Sequence, residues 1–241
     1  MLKAIKILVN FLFPNYCKEC GKMLGIEDKH CFCSTCWDKI ELIKDLSLKC
    51  KICSRPVISD NEVCSDCKKR ERRYFKQNIS IGIYNNILKK AIKLYKFEKR
   101  YLISNDFIDL IKKNIEKDFI VKNDIIIGVP LSKNKEWERG FNQTYLIAKK
   151  LSKIYNLPFI KNLLIKVKDT PAQSELKAKE RLHNLKDIFK IKKRYKNIIK
   201  DKKILLVDDI YTTGTTVNEC AKVLKENFAK EINVLTIARS V

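Results

Sequence analysis

A chain of 241 residues and 28.3 kDa has room for one ordinary domain with an appendage or for two small ones. With 45% hydrophobic and 33% charged residues it is neither a disulfide-stapled miniprotein nor a wholly disordered chain. Its formal net charge of +23, from 51 Lys and Arg against 28 Asp and Glu, points to nucleic acid, phosphates or anionic membrane as company. Only 9 of those cations are Arg and 42 are Lys, which argues against planar, bidentate recognition as the main source of the excess. The alternative source is compositional, the Lys, Ile and Asn bias of an AT-rich genome.

In chain order, residues 1–17 hold an apolar run of about ten residues, interrupted by Asn10 and followed by Pro14, with no small-residue cleavage site. This predicts an amphipathic helix packed on the body rather than an export signal. No later segment reaches the ~18 apolar residues of a membrane span, so the chain is expected to be cytoplasmic. Nine of the ten cysteines then fall between Cys17 and Cys67. They form four CxxC pairs, Cys17/Cys20, Cys33/Cys36, Cys50/Cys53 and Cys64/Cys67, with gaps of 12 and 10 residues inside each half. Two residues between thiolates let one tight turn present both to a tetrahedral ion, so two structural zinc sites are expected. Disulfides require an oxidising compartment, and a redox CxxC requires one pair beside a βαβ unit. The four pairs can combine sequentially or interleaved, and Cys31 is a spare thiol or an alternative ligand.

Residues 1–78 carry 16 basic and 10 acidic side chains, a net of +6, which zinc on eight thiolates would lower to about +2. Residues 79–241 hold +17, so attraction to anions belongs mainly to the second part. The boundary is drawn as residues 1–70 for the helix and double zinc ribbon and 79–241 for the second domain. The intervening KKRERR at 68–73 is a solvated linker or a small phosphate patch.

Ile79–Tyr84 is a short β-like run, and apolar residues at 87, 88, 91, 92, 94, 95 and 97 have helix spacing through Arg100. A second helix is expected over Asp106–Lys117 and a buried strand over Asp124–Pro130, followed by a polar loop. Helical patterning returns over Phe141–Ile154, where Asn142 and Gln143 stand as capping residues. Phe159–Val167 is β-capable, Ser174–Lys186 is helical or mobile, and Ile188–Ile191 is a partner strand. Lys203–Asp208 is the clearest buried strand, with a helix over Gly214–Phe228 and a last strand over Ile232–Ala238. The alternation predicts an α/β fold with a mainly parallel sheet covered on both faces and ligands at its carboxyl edge.

The string ILLVDDIYTTGTT at 204–216 ends the clearest strand and opens a helix. Backbone N–H groups at a helix N-terminus, ringed by Thr hydroxyls, suit a monophosphate, and the loop is not a Walker A. Asp208 and Asp209 would face opposite sides of an ideal strand, but at a strand end both can turn to vicinal diol hydroxyls. Ribose and phosphate together point to a ribose 5-phosphate.

This string resembles the phosphoribosyl pyrophosphate (PRPP) signature of type I phosphoribosyltransferases. With the CxxC pairs, VPLS at 129–132, RGFNQ at 139–143, TPAQ at 170–173 and the RLHN…F run from Arg181 to Phe189, the chain resembles the ComF family of competence-associated, phosphoribosyltransferase-like proteins. The resemblance implies that Thr212, Thr213, Gly214, Thr215 and Thr216 hold the 5-phosphate, and Asp208 and Asp209 the ribose hydroxyls. It implies that Pro130, Leu131, Ser132 and Lys133 lie beside pyrophosphate and that Lys168–Arg181 is a mobile cover.

Lys133, Arg139, Lys168 and Arg181 are candidate pyrophosphate partners, and Asp209 a candidate base on the acceptor. Mg²⁺ would arrive with the phosphates and neutralise departing charge. His30 and His183 have no partner visible in sequence and are expected to be packing or surface residues. Three functions compete: a Mg²⁺-dependent phosphoribosyltransferase serving DNA uptake, an adaptor for single-stranded DNA or a competence helicase, and a PRPP sensor without turnover.

Overall fold

The computed structural model describes residues 14–25, 30–58, 63–168 and 188–241. The helix expected at the N-terminus, the TPAQ and RLHN segments with Arg181 and His183, and the Ser174–Lys186 stretch read as helical or mobile lie outside the described residues. In the cysteine-rich part, two one-turn helices, α1 (Ser34–Trp37) and α2 (Ser65–Lys68), follow directly on Cys33 and Cys64. Strand β1 (Gln77–Ile83) then leads into helices α3 (Asn86–Phe97), α4 (Ile103–Asn114) and α5 (Lys117–Val121). Strand β2 (Ile125–Gly128) precedes α6 (Lys133–Arg139) and α7 (Gln143–Tyr155). A two-stranded antiparallel ribbon pairs β3 (Leu164–Lys166) with β4 (Phe189–Ile191). After the single turn α8 (Lys196–Ile199) come β5 (Lys203–Tyr211), α9 (Thr215–Glu226) and β6 (Glu231–Arg239).

The main sheet is parallel throughout, in the order β1-β6-β5-β2. Its strands are unbroken aliphatic runs because both faces are covered. Leu205, Val207, Leu235 and Ile237 pack on the side of α3, α4 and α7, whereas Ile204, Leu206, Ile232 and Val234 pack on the side of α9 and the β3/β4 ribbon. Each such side chain stabilises the fold by about 1.5–3 kcal/mol when fully buried. The helix α7 approaches β2 so closely that a Cβ on Gly128 would lie 2.7 Å from both Thr144 Oγ1 and Tyr145 Cδ1.

Two differences from the sequence reading bear on function. The polar loop expected after Pro130 is largely helix α6, ended by Gly140 in the left-handed region at φ 74°. The strand expected to stop at Asp208 runs on to Tyr211, because pairing with β6 continues through Asp208↔Thr236, Ile210↔Ala238 and Tyr211↔Arg239.

Candidate functional site

The cysteines assemble sequentially. Cys17, Cys20, Cys33 and Cys36 form one cluster and Cys50, Cys53, Cys64 and Cys67 a second, with all sulfurs of each within 4.8 Å of one another. A tetrahedral zinc with ~2.3 Å bonds to sulfur needs sulfurs about 3.8 Å apart. Cys20 and Cys33 are 3.7 Å apart and Cys53 and Cys64 3.6 Å, so the donor sets fit zinc. In each centre a backbone N–H donates to a sulfur of the facing turn, Cys33 to Cys17 and Cys64 to Cys50, both at 3.3 Å. Cys31 is not part of either cluster. It is buried, its thiol pushed up to about 11 by burial first and then by the Asp106 charge.

A cleft of about 760 Å³ opens at the carboxyl edge of the sheet, where β1, β2, β5 and β6 all end. Among the described residues seven cationic side chains and three carboxylates line it, a net of +4 out of the chain's +23. Because β5 continues past the acidic pair, the two carboxylates have different surroundings. Asp209 is buried, its Oδ1 accepting from Lys96 Nζ and its Oδ2 from Gln143 Nε2, each at 2.8 Å. Gln143 is itself oriented by Arg139, whose Nη1 donates to Gln143 Oε1 at 3.1 Å. The Arg139 guanidinium lies over the Phe97 ring at 5.2 Å. Asp208 sits recessed in the cleft wall and accepts from the Asp209 N–H at 2.8 Å. Burial first, and the Asp209 charge second, push its carboxyl up to about 8.

The segment after β5 turns at Gly214, which adopts φ 74°. The Tyr211 ring lies against it so tightly that a Cβ would be 2.0 Å from Tyr211 Oη. No other residue fits there without moving the ring. Thr212, Thr213, Gly214 and Thr216 line the cleft, and Thr215 is buried with its hydroxyl 2.8 Å from that of Thr213. The N–H groups of the first turn of α9, the helix dipole and these hydroxyls together favour an anion.

Residues 8–69 match a double zinc ribbon domain and residues 102–240 a phosphoribosyl transferase domain. Competence protein F of Haemophilus influenzae is 32% identical over 237 residues, covering 97% of this chain and 100% of that protein. Competence protein ComFC of Bacillus subtilis is 32% identical, covering 90% and 87%. The chain belongs to the ComF family. Further relatives include the DNA utilization protein YhgH of Escherichia coli K12, 26% identical with 95% and 98% coverage. Among solved structures, a purine phosphoribosyltransferase from Pyrococcus horikoshii matches at 21% identity and TM-score 0.36, covering 57% of this chain and 86% of that one. The two domain matches give a fold of the phosphoribosyltransferase type preceded by a double zinc ribbon.

In this ComF-family chain the structure gathers Asp208, Asp209, Thr212, Thr213, Gly214, Thr216, Pro130, Leu131, Ser132 and Arg139 around one cleft. It does not bring Lys133 or Lys168 there: Lys133 at the start of α6 and Lys168 just after β3 line a neighbouring cavity of about 610 Å³. Asn142 does cap α7, accepting from Thr144 and Tyr145 N–H at 3.0 and 3.3 Å, but Gln143 reaches into the cleft instead. His30 is a packing residue with partners, 3.1 Å from Asp106 and 3.5 Å from Asp109. Sequence reasoning missed Lys96, Arg239 and Arg55 as cleft residues. Lys96 is one lysine among 42 and carries no signal. Arg239 carries one, since it is one of only 9 Arg and closes a buried apolar strand.

Proposed function

We propose that this chain binds PRPP with Mg²⁺ in the cleft and acts in natural transformation, as a phosphoribosyltransferase whose acceptor its own sequence leaves open. The observation that supports it most is that the acidic pair and the hydroxyl-rich turn of α9 share one cation-lined cleft. Thr212–Thr216 take the 5-phosphate, Asp208 and Asp209 the ribose hydroxyls, and Pro130–Ser132 with Arg139 the pyrophosphate. Lys133, Lys168 and Arg181 remain candidate pyrophosphate partners, of which Lys133 and Lys168 line the neighbouring cavity.

Mg²⁺, bound with the phosphates, supplies neutralisation of the departing pyrophosphate. Asp209 is fixed by Lys96 and Gln143, which suits it to orient ribose and to face positive charge developing at the anomeric carbon. Asp209 is also the proposed base on the acceptor, while Asp208, whose carboxyl burial and the Asp209 charge push upward, shares the ribose hydroxyls. The competence role rests on relatives named as competence proteins. Single-stranded DNA or a competence helicase would be its partner there, in the cytoplasm. No described helix is long and apolar enough to cross a membrane.

Pyrophosphate release is the discriminating measurement, run over a panel of bases and amines with and without single-stranded DNA, alongside PRPP titration. Release with any acceptor establishes the transferase. Saturable PRPP binding without release makes the protein a sensor, and no PRPP binding contradicts the proposal.

A further inference from the structure

Arg239 ends β6, is 3% exposed, and touches both the second zinc centre and the turn that opens α9. Its Nη2 lies 4.0 Å from Cys53 Sγ. Its Nη1 donates to the carbonyls of Tyr211 at 3.1 Å and Thr212 at 2.8 Å, and its guanidinium stacks 5.0 Å from the Tyr211 ring centroid. Parallel register puts it there, because Tyr211 is its partner across the β5/β6 ladder. A second guanidinium, that of Arg70 just after the last ribbon cysteine, donates to the Thr213 carbonyl.

Three successive carbonyls are thus held by guanidiniums. A trans peptide points its N–H opposite to its C=O, and the described chain has no cis peptide. The N–H groups of Thr212, Thr213 and Gly214 therefore point away from the two guanidiniums. Guanidinium has five donors, no acceptor and a permanent charge, so this orientation holds at any ordinary pH. The buried Arg239 Nε has no partner among the described residues, so the sulfur and carbonyl contacts dictate the group's position at the expense of full satisfaction.

Resting on the PRPP reading, we propose that Arg239 is a positioning residue that couples zinc at Cys50, Cys53, Cys64 and Cys67 to phosphate in the Thr212–Thr216 turn. A zinc-bound thiolate is an N–H acceptor of fixed position, and donors to such sulfurs tune the metal site. Loss of the metal withdraws that acceptor and frees the guanidinium that orients the turn. By linkage the coupling is reciprocal, so phosphate binding must tighten the second zinc. Among the described residues the first centre has no such arm. Its cysteines pack in the cluster on the opposite face of the sheet.

The test is zinc release from the full chain to a zinc-selective chromogenic chelator, with and without saturating PRPP and Mg²⁺, and with PRPP binding verified by calorimetry on the same sample. Two release phases are expected, one per centre, and PRPP should slow one of them, by at most about the 5- to 150-fold by which such couplings change affinity, and leave the other unchanged. Arg239→Gln should remove the slowing, and so should Arg239→Lys, which keeps charge but lacks the fork. Arg70→Ala, at an exposed position, should weaken it if the Arg239 variants fold poorly. PRPP bound with both phases unchanged, or both slowed equally, overturns the coupling while leaving the PRPP reading intact. Absence of PRPP binding overturns both.

Discussion

The two zinc ribbons share a ligand pattern and differ in what they hold. The first docks on helices: Trp37 packs 5.0 Å from Phe32 and 6.1 Å from Phe107 of α4, and Asp106 of α4 accepts from the Cys31 N–H at 3.2 Å. The second docks on the sheet edge and the cleft rim. Ser54 Oγ donates to the Asn78 carbonyl of β1 at 2.8 Å, Asn218 of α9 accepts from the Tyr74 N–H at 3.1 Å, and Arg55 and Asp66 line the cleft. One motif, placed on opposite faces of one sheet, serves in one case as scaffold for the helical layer and in the other as part of the site's wall. The number of ligands in a zinc site therefore says nothing about its role; the elements packed against it do.

The largest effect is expected where the helical face reaches the cleft. Lys96 is mostly buried and pairs with a buried Asp209, so Lys96→Ala strands a carboxylate and should cost about 3–5 kcal/mol at neutral pH in urea unfolding. An unchanged midpoint would show that Lys96 is not what compensates the Asp209 charge. The two ribbons are then separated by a matched pair of variants. Asp106→Ala and Asn218→Ala each remove a side chain that satisfies ribbon-side backbone, and each should cost about 1–3 kcal/mol of stability. Only Asn218→Ala should also weaken PRPP binding. Equal PRPP affinities in the two variants would erase the distinction between the ribbons.

The smallest effect is a pH dependence. Asp208 is neutral below and ionised above its raised value of about 8, and only the ionised form is a full acceptor for ribose hydroxyls. PRPP affinity should therefore rise a few-fold as pH increases through that value and then level off. Asp208→Asn should flatten the profile, and a wild-type profile that falls with pH would contradict the assignment.

Much of this was legible in the sequence for physical reasons. Both-face burial leaves continuous aliphatic runs such as Ile204–Val207, and tetrahedral coordination demands the CxxC spacing. The motif at 204–216 carries its own chemistry in small hydroxyls and carboxylates. What was not legible depends on partners distant in the chain. The extension of β5 past its two aspartates is enforced by pairing with β6, and no local signal in Asp208-Asp209 announces it. Helix α6, KNKEWER, lacks an apolar stripe and reads as loop, with Trp137 exposed. The choice between sequential and interleaved cysteine pairing awaited the two facing turns. Arg239 gains its place only through strand register.

The central claim, that the cleft between the acidic pair and the start of α9 holds PRPP, is tested most directly by calorimetry with PRPP and Mg²⁺ on the zinc-loaded wild type and on the Asp208→Ala/Asp209→Ala variant. Saturable binding to one site in the wild type, lost in a variant that keeps its zinc and its fold, is the predicted result. No heat of binding in the wild type, or equal affinity in the variant, would contradict it.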